Sequence, residues 1–194
     1  MGFLLLHYMT ITKEKRDELE LRVESFFAKN NIQREEYVDI TKVCDLLKIQ
    51  VSSLTFPDKL RKEIDGLILV KGDEKKIGFN RDLEPRKARF VIAHELAHYI
   101  THFMMHEGRL AFAFKDKIYH GAEKSLEEHE MDYMAAAILV PKKKFKLYLD
   151  VLKVTGNFTK DTVEDAVNPF IVELLANKFQ VDTDLIYRRI IEVA

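Results

Sequence analysis

The five residues His94-Glu95-Leu96-Ala97-His98 constrain this chain more than any other stretch. They lie in Arg89-Phe-Val-Ile-Ala-His-Glu-Leu-Ala-His-Tyr99, an apolar segment that reads as a helix. Helical positions four apart share a face, so His94 and His98 offer two imidazoles to one ion. Glu95 stands a step round the same surface, close enough to act on water held there. Imidazole nitrogen suits Zn²⁺, which for catalysis needs a third protein ligand and an open position. The plain alternative is two histidines on a buried helix face. That would leave Glu95 as an ionised carboxylate in apolar surroundings, at a heavy cost without a partner.

The third ligand must come from another segment. A histidine six residues after His98 would mark a metzincin, but that position is Met104. His102 continues the stripe a turn further along. One straight helix rarely wraps three ligands around an ion, so His102 is read as packing against the site or touching a ligand from outside. Downstream, the helical segment Ser125–Leu139 carries Glu127, Glu128, Glu130 and Asp132. Ser125-Leu-Glu-Glu128 is also a capping box, in which Glu128 would serve a backbone N–H instead of an ion. A helix beginning earlier, near Gly121, would leave Glu128 free to coordinate. Glu130 is the alternative ligand, on a different side of the helix. Tyr119, His120 and His106 are available as oxyanion donors, and nothing in the sequence chooses among them.

The remaining chain supplies a scaffold. Thr12 to about Asn30 is amphipathic, with Leu19, Val23, Phe26 and Phe27 on one stripe. Asp39 caps a short helix that turns Ile40, Val43 and Leu47 inward. Ile49-Gln-Val51-Ser alternates like a strand. Leu67–Val70, Gly72-Asp73 and Lys76–Asn80 read as a hairpin with a slightly long loop. Its plain role is to cover the core; as an edge strand it would pair with an extended peptide. Pro85 suits the first turn of the metal-motif helix. Residues 103–124 are expected to be irregular, some of them roofing the site. A helix follows Pro141 up to Gly156-Asn157. Val163–Phe179 and Asp184–Val193 form a last helical pair whose spacing resembles a helix-turn-helix. DNA reading needs basic and amide side chains at the start of the second helix, where Asp182 and Asp184 stand. The pair is therefore read as a structural hairpin. The expected fold class is α+β, mainly helical, with a small antiparallel sheet or hairpin preceding the helix of His94 and His98.

Charge and cysteine usage narrow the setting. Lys and Arg number 31 against 32 Asp and Glu, so no overall field recruits nucleic acid or an anionic membrane. The single cysteine, Cys44, excludes an internal disulfide and reads as a small buried apolar residue. Met1–Met9 lacks the basic region of a signal peptide, Leu6 stands where a myristoylation signal wants Ser or Thr, and no segment has the apolar length of a membrane span. The expectation is a cytoplasmic protein with no membrane partner, no nucleic-acid partner and an oligomeric state left open.

Four stretches in order, Asp65-Gly-Leu-Ile68, Ile77-Gly-Phe-Asn80, Arg89–Tyr99 and Glu128-His-Glu-Met-Asp132-Tyr-Met-Ala-Ala-Ala-Ile-Leu-Val-Pro141, resemble the ImmA/IrrE family of zinc metallopeptidases. The likeness covers roughly residues 40–145. Ala97, Met131 and Met134 depart from the family pattern at apolar packing positions. The resemblance implies a zincin-like minimal core, Zn²⁺ as cofactor, and Glu128 as third ligand beside His94 and His98. Asp132, one turn on, could orient a ligand imidazole through its ring N–H. Glu95 would be the general base that takes a proton from water and returns it to the leaving amine. The implied layout is a metallopeptidase domain with N-terminal helices over 1–144 and a C-terminal helical subdomain, 145–194, packed on it. The implied activity is site-specific cleavage of a helix-turn-helix repressor or antitoxin, as in mobile elements, toxin–antitoxin pairs or stress-linked transcription regulation. A regulator that is stabilised by zinc and binds a partner protein or DNA through its C-terminal helices, without cutting, is the second expectation. The intact Glu95 speaks for the enzyme, since a purely structural site has no need of it.

Overall fold

The computed structural model describes residues 11–57, 64–103, 112–116, 125–154 and 168–193. Its first helix, α1 (Lys13–Lys29), starts where Thr12, in extended conformation, accepts a hydrogen bond from the Lys15 N–H at 3.2 Å. Leu19, Val23, Phe26 and Phe27 are buried along it, as the stripe requires. Asp39 caps α2 (Ile40–Leu46) by accepting from the Lys42 N–H at 3.1 Å. Cys44 on α2 is fully buried, and desolvation pushes its thiol up to about 12, so it stays an uncharged packing group.

Four strands follow: β1 (Gln50–Leu54), β2 (Gly66–Lys71), β3 (Glu74–Asn80) and β4 (Phe112–Asp116). They form one sheet in the order β1-β3-β2-β4, with β1 parallel to β3 and the other two pairings antiparallel. The sheet corrects the sequence reading in three ways. It is mixed, not purely antiparallel. The hairpin loop is tight: Lys71 faces Glu74, so Gly72-Asp73 is the whole turn. Gly72 has φ +58°, the positive value that a two-residue turn with glycine first demands. Finally, β4 is a strand inside a stretch expected to be irregular. Its place is set by pairing with β2, more than forty positions away in sequence by register (Gly66 opposite Asp116), which no local pattern reveals. With β1 and β4 outermost among the described strands, both hairpin strands are interior, and the core-covering role of the hairpin is the one realised: Ile68 and Ile77 are fully buried.

Helix α3 (Pro85–His98) opens on Pro85 and packs against β2 and β3 and against α4 (Leu126–Leu139). It continues as a wider, π-type turn over Tyr99–Phe103. Every residue of α4 from Met131 to Leu139 is buried, and Ala135, Ala136 and Ala137 let α1 and α3 approach its backbone. A helix buried along so much of its length belongs at the centre of a fold. Two guanidinium groups hold its last carbonyls. Arg34 donates to Ala137 O at 2.8 Å, and the fully buried Arg189 donates to Val140 O at 2.9 Å. Cations at a helix C-terminus also meet the negative end of its dipole.

After α5 (Lys142–Val154), helices α6 (Pro169–Phe179) and α7 (Thr183–Val193) close the chain. Gln180, left-handed at φ 54°, ends α6. Phe145, Leu149, Ile171, Leu175, Phe179, Ile186 and Ile190 share one apolar cluster with residues of α1, α3 and α4. Polar ties add to it: Arg86 donates to Asn177 at 2.6 Å, and Arg89, stacked on the Tyr37 ring, reaches Phe179 O. Asp182 and Asp184 are exposed at the start of α7. Among the described residues, no helix is long and apolar enough to cross a membrane.

Candidate metal centre

The histidine pair stands where the helix period puts it. His94 and His98 are each 1% exposed, and their rings meet edge-on with centroids 5.0 Å apart. The third group arrives from α4. Ser125 caps that helix by accepting from the Glu128 N–H at 3.2 Å, so the helix begins at Leu126 and Glu128 sits in its first turn. Cap and ligand position prove compatible. The Ser125 hydroxyl serves the Glu128 backbone, while the Glu128 carboxylate lies 3.2 Å from His94 Nε2 and 3.6 Å from His98 Nε2. An earlier helix start is not required for Glu128 to reach the histidines.

His94, His98 and Glu128 each offer one donor atom, and the three lie within 4.8 Å of one another. Ligands about 2.0–2.1 Å from a tetrahedral ion stand roughly 3.3 Å apart, close to the two separations found here. Among the described residues, nothing donates a hydrogen bond to the buried Glu128 Oε2, an arrangement that costs free energy unless a cation faces it. Two imidazoles and one carboxylate form a mixed nitrogen and oxygen set that suits zinc. The residues present fit such an ion.

Asp132, 5% exposed and one turn beyond Glu128, lies 3.0 Å from His94 Nδ1. A carboxylate can only accept, so Nδ1 carries the proton and Nε2 turns its lone pair to the cluster. Asp132→Asn is expected to weaken zinc affinity by about 10–100-fold, measured by chelator competition. An unchanged affinity would mean that His94 is oriented by packing alone.

Glu130 stands apart from the trio. It pairs with Lys15 on α1 at 3.4 Å. His102 stacks on His98, with centroids 5.6 Å apart and planes 21° apart, and lies 2.8 Å from Glu127. The candidate oxyanion donors His106, Tyr119 and His120 lie outside the described residues.

Glu95 is 1% exposed and its carboxylate lies against the first residue of β2. A Cβ on Gly66 would come within 2.8 Å of Glu95 Oε1 and 2.4 Å of Val91 Cγ1. Only a glycine lets the strand run this close, which gives Asp65-Gly66 a positional meaning that its turn-like sequence did not reveal. The strand is held there by Lys87, whose ammonium is 2.9 Å from Asp65. Gly66→Ala is expected to destabilise the chain by about 1–3 kcal/mol through overpacking and to displace Glu95. A thermal midpoint equal to the parent's would show that the strand has room to move.

A family model, Peptidase_M78, the IrrE N-terminal-like domain, matches residues 44–190. The match runs past residue 145 and takes in α6 and most of α7. Among solved structures, the fold is similar to a transcriptional regulator from Mycobacterium tuberculosis, with TM-score 0.51 and 16% identity over 91% of this chain and 51% of that one. This chain thus spans about half the length of that regulator. No curated protein sequence matches significantly.

Proposed function

Starting from a chain that belongs to the IrrE N-terminal-like family of peptidases, we propose a zinc-dependent, site-specific endopeptidase that cuts a helix-turn-helix repressor or antitoxin. The observation that carries the reading is the convergence of His94 and His98 from one helix with Glu128 from another, beside a buried Glu95 that is not one of the three. His94, His98 and Glu128 would hold the ion, with His94 aligned by Asp132. Bound there, zinc supplies Lewis-acid polarisation of a carbonyl and brings the pKa of a water to about 7. Glu95 takes a proton from the attacking water and hands it to the departing amine nitrogen. The backbone of Gly66 limits where the Glu95 carboxylate can swing. The register of β2 with β4 sets Asp116 opposite Gly66, so the outer edge of β4 ends near Glu95. An extended substrate segment would add there as a further strand.

The test is to incubate the zinc-loaded chain with a helix-turn-helix repressor encoded beside it and map fragments by mass spectrometry. One defined cut, abolished by chelator and restored by zinc, is expected. An intact repressor under both conditions argues for the second reading, a regulator that binds without cutting. That reading draws on the similarity to a transcriptional regulator. Its DNA version meets the exposed Asp182 and Asp184, and the absence of a gel shift at low salt would end it.

A further inference from the structure

We propose that His102 and Glu127 act together as positioning residues for Glu128, a clamp across the rim of the metal centre. The proposal rests on the metal-site reading of His94, His98 and Glu128 and concerns how the third ligand is held. Glu128 occupies the first turn of α4, where the Ser125 hydroxyl caps its backbone N–H. First turns are where helices fray, so a ligand placed there needs a further restraint to be ready before the ion arrives. Asp132 does not supply it, since it aligns His94 from one turn deeper. Glu127, the neighbour of Glu128, does reach across: its Oε1 lies 2.8 Å from His102 Nε2, on the π-type turn that continues α3, in a close contact that is not aligned as a hydrogen bond.

The π-type turn explains why His102 is available. Four residues of α-helix rotate about 400°, so each such step drifts ~40° round the axis. In a regular continuation His102 would stand about 80° from His94. The wider winding over Tyr99–Phe103 instead leaves the His102 ring stacked on His98 at 21°. The same ring therefore backs one ligand and grips the residue next to another. The pair is partly solvent-exposed, 28% for His102 and 53% for Glu127, and exposed pairs add little to global stability. Its effect is expected in the metal centre and not in the fold.

The experiment measures zinc affinity by chelator competition and the visible spectrum of bound Co²⁺, on the full chain, for the parent, His102→Phe, Glu127→Gln and the double variant. Phenylalanine keeps a ring against His98, and glutamine keeps the length of Glu127. Each single change is expected to weaken zinc binding by ~2–5-fold, the most that an exposed pair can contribute to holding Glu128 ready, and to alter the Co²⁺ bands. The double variant should lose no more than either single one, the sign of a coupled pair. The thermal midpoint of the metal-free chain should not move. Affinities that equal the parent's, or losses that simply multiply in the double variant, overturn the clamp. His94→Ala separates this from the underlying reading: a parent that takes up no zinc, or that keeps it in His94→Ala, removes the metal site itself and the clamp with it.

Discussion

Glu95→Gln is expected to lower cleavage of the protein substrate by about 10²–10⁴-fold, the usual contribution of a positioned general base, while one zinc per chain remains bound. The carboxylate is buried, and it is not one of the three groups, His94, His98 and Glu128, whose donor atoms could together hold an ion. Glutamine has the same shape, and its amide cannot take up a proton from water at neutral pH. The substitution therefore removes proton transfer and leaves the ion's ligands in place. Fragment yield and metal content, measured on the same preparation, check both halves. Cleavage that persists would dismiss Glu95 as the base. Zinc lost together with activity would make Glu95 a ligand or a structural support, and the mechanism would need rebuilding.

The second large effect lies far from the metal. Arg189→Met is expected to lower the free energy of unfolding by about 3–5 kcal/mol, because it strands the two buried carboxylates that share its charge. Arg189 is fully buried; its guanidinium lies 2.6 Å from Glu20 and 3.2 Å from Glu192 and also serves Val140 O. Burial works against its charge, but Glu20 and Glu192 outweigh it, and the guanidinium is held protonated more firmly than usual. Burial raises the Glu192 carboxyl in turn, against the pull of Arg189. With the cation gone, Glu20 keeps only the Tyr133 hydroxyl at 3.2 Å among its described donors, and a C-terminal carbonyl of α4 loses its partner. Urea denaturation of the metal-free chain measures the loss. Replacing both Glu20 and Glu192 with Met as well should recover much of it, since apolar substitutes for all three groups avoid the desolvation of the ions. A loss within about 1 kcal/mol, the scale of an exposed pair, would show that water reaches this cluster.

Local chemistry was readable in advance wherever it depends on neighbours in sequence. The Asp39 and Ser125 caps form as their side chains allow. The helical period placed His94 and His98 on one face, and the stripe of α1 is buried as read. Readings that needed knowledge of distant segments fared differently. The capping box and the ligand role of Glu128 looked like alternatives because sequence gives a side chain one job, whereas the backbone N–H and the carboxylate of one residue point in different directions. Glu130 was a fair alternative until α1 put Lys15 beside it. The edge of the sheet fell to β4 because strand order is fixed by long-range pairing and not by pattern.

What the sequence determined by itself is the chemistry on offer: two imidazoles and a carboxylate on one helix, and a patch of carboxylates on another. Both follow from a repeat of 3.6 residues acting over a few positions, which any stretch of chain carries within it. Tertiary structure alone decided which carboxylate meets the imidazoles, that Gly66 presses on Glu95, and that Arg189 pins the end of α4. Those depend on how α1, α3, α4, α7 and the sheet pack. Close packing is a property of the whole assembly: each contact exists only because all the others hold their elements at the required separation.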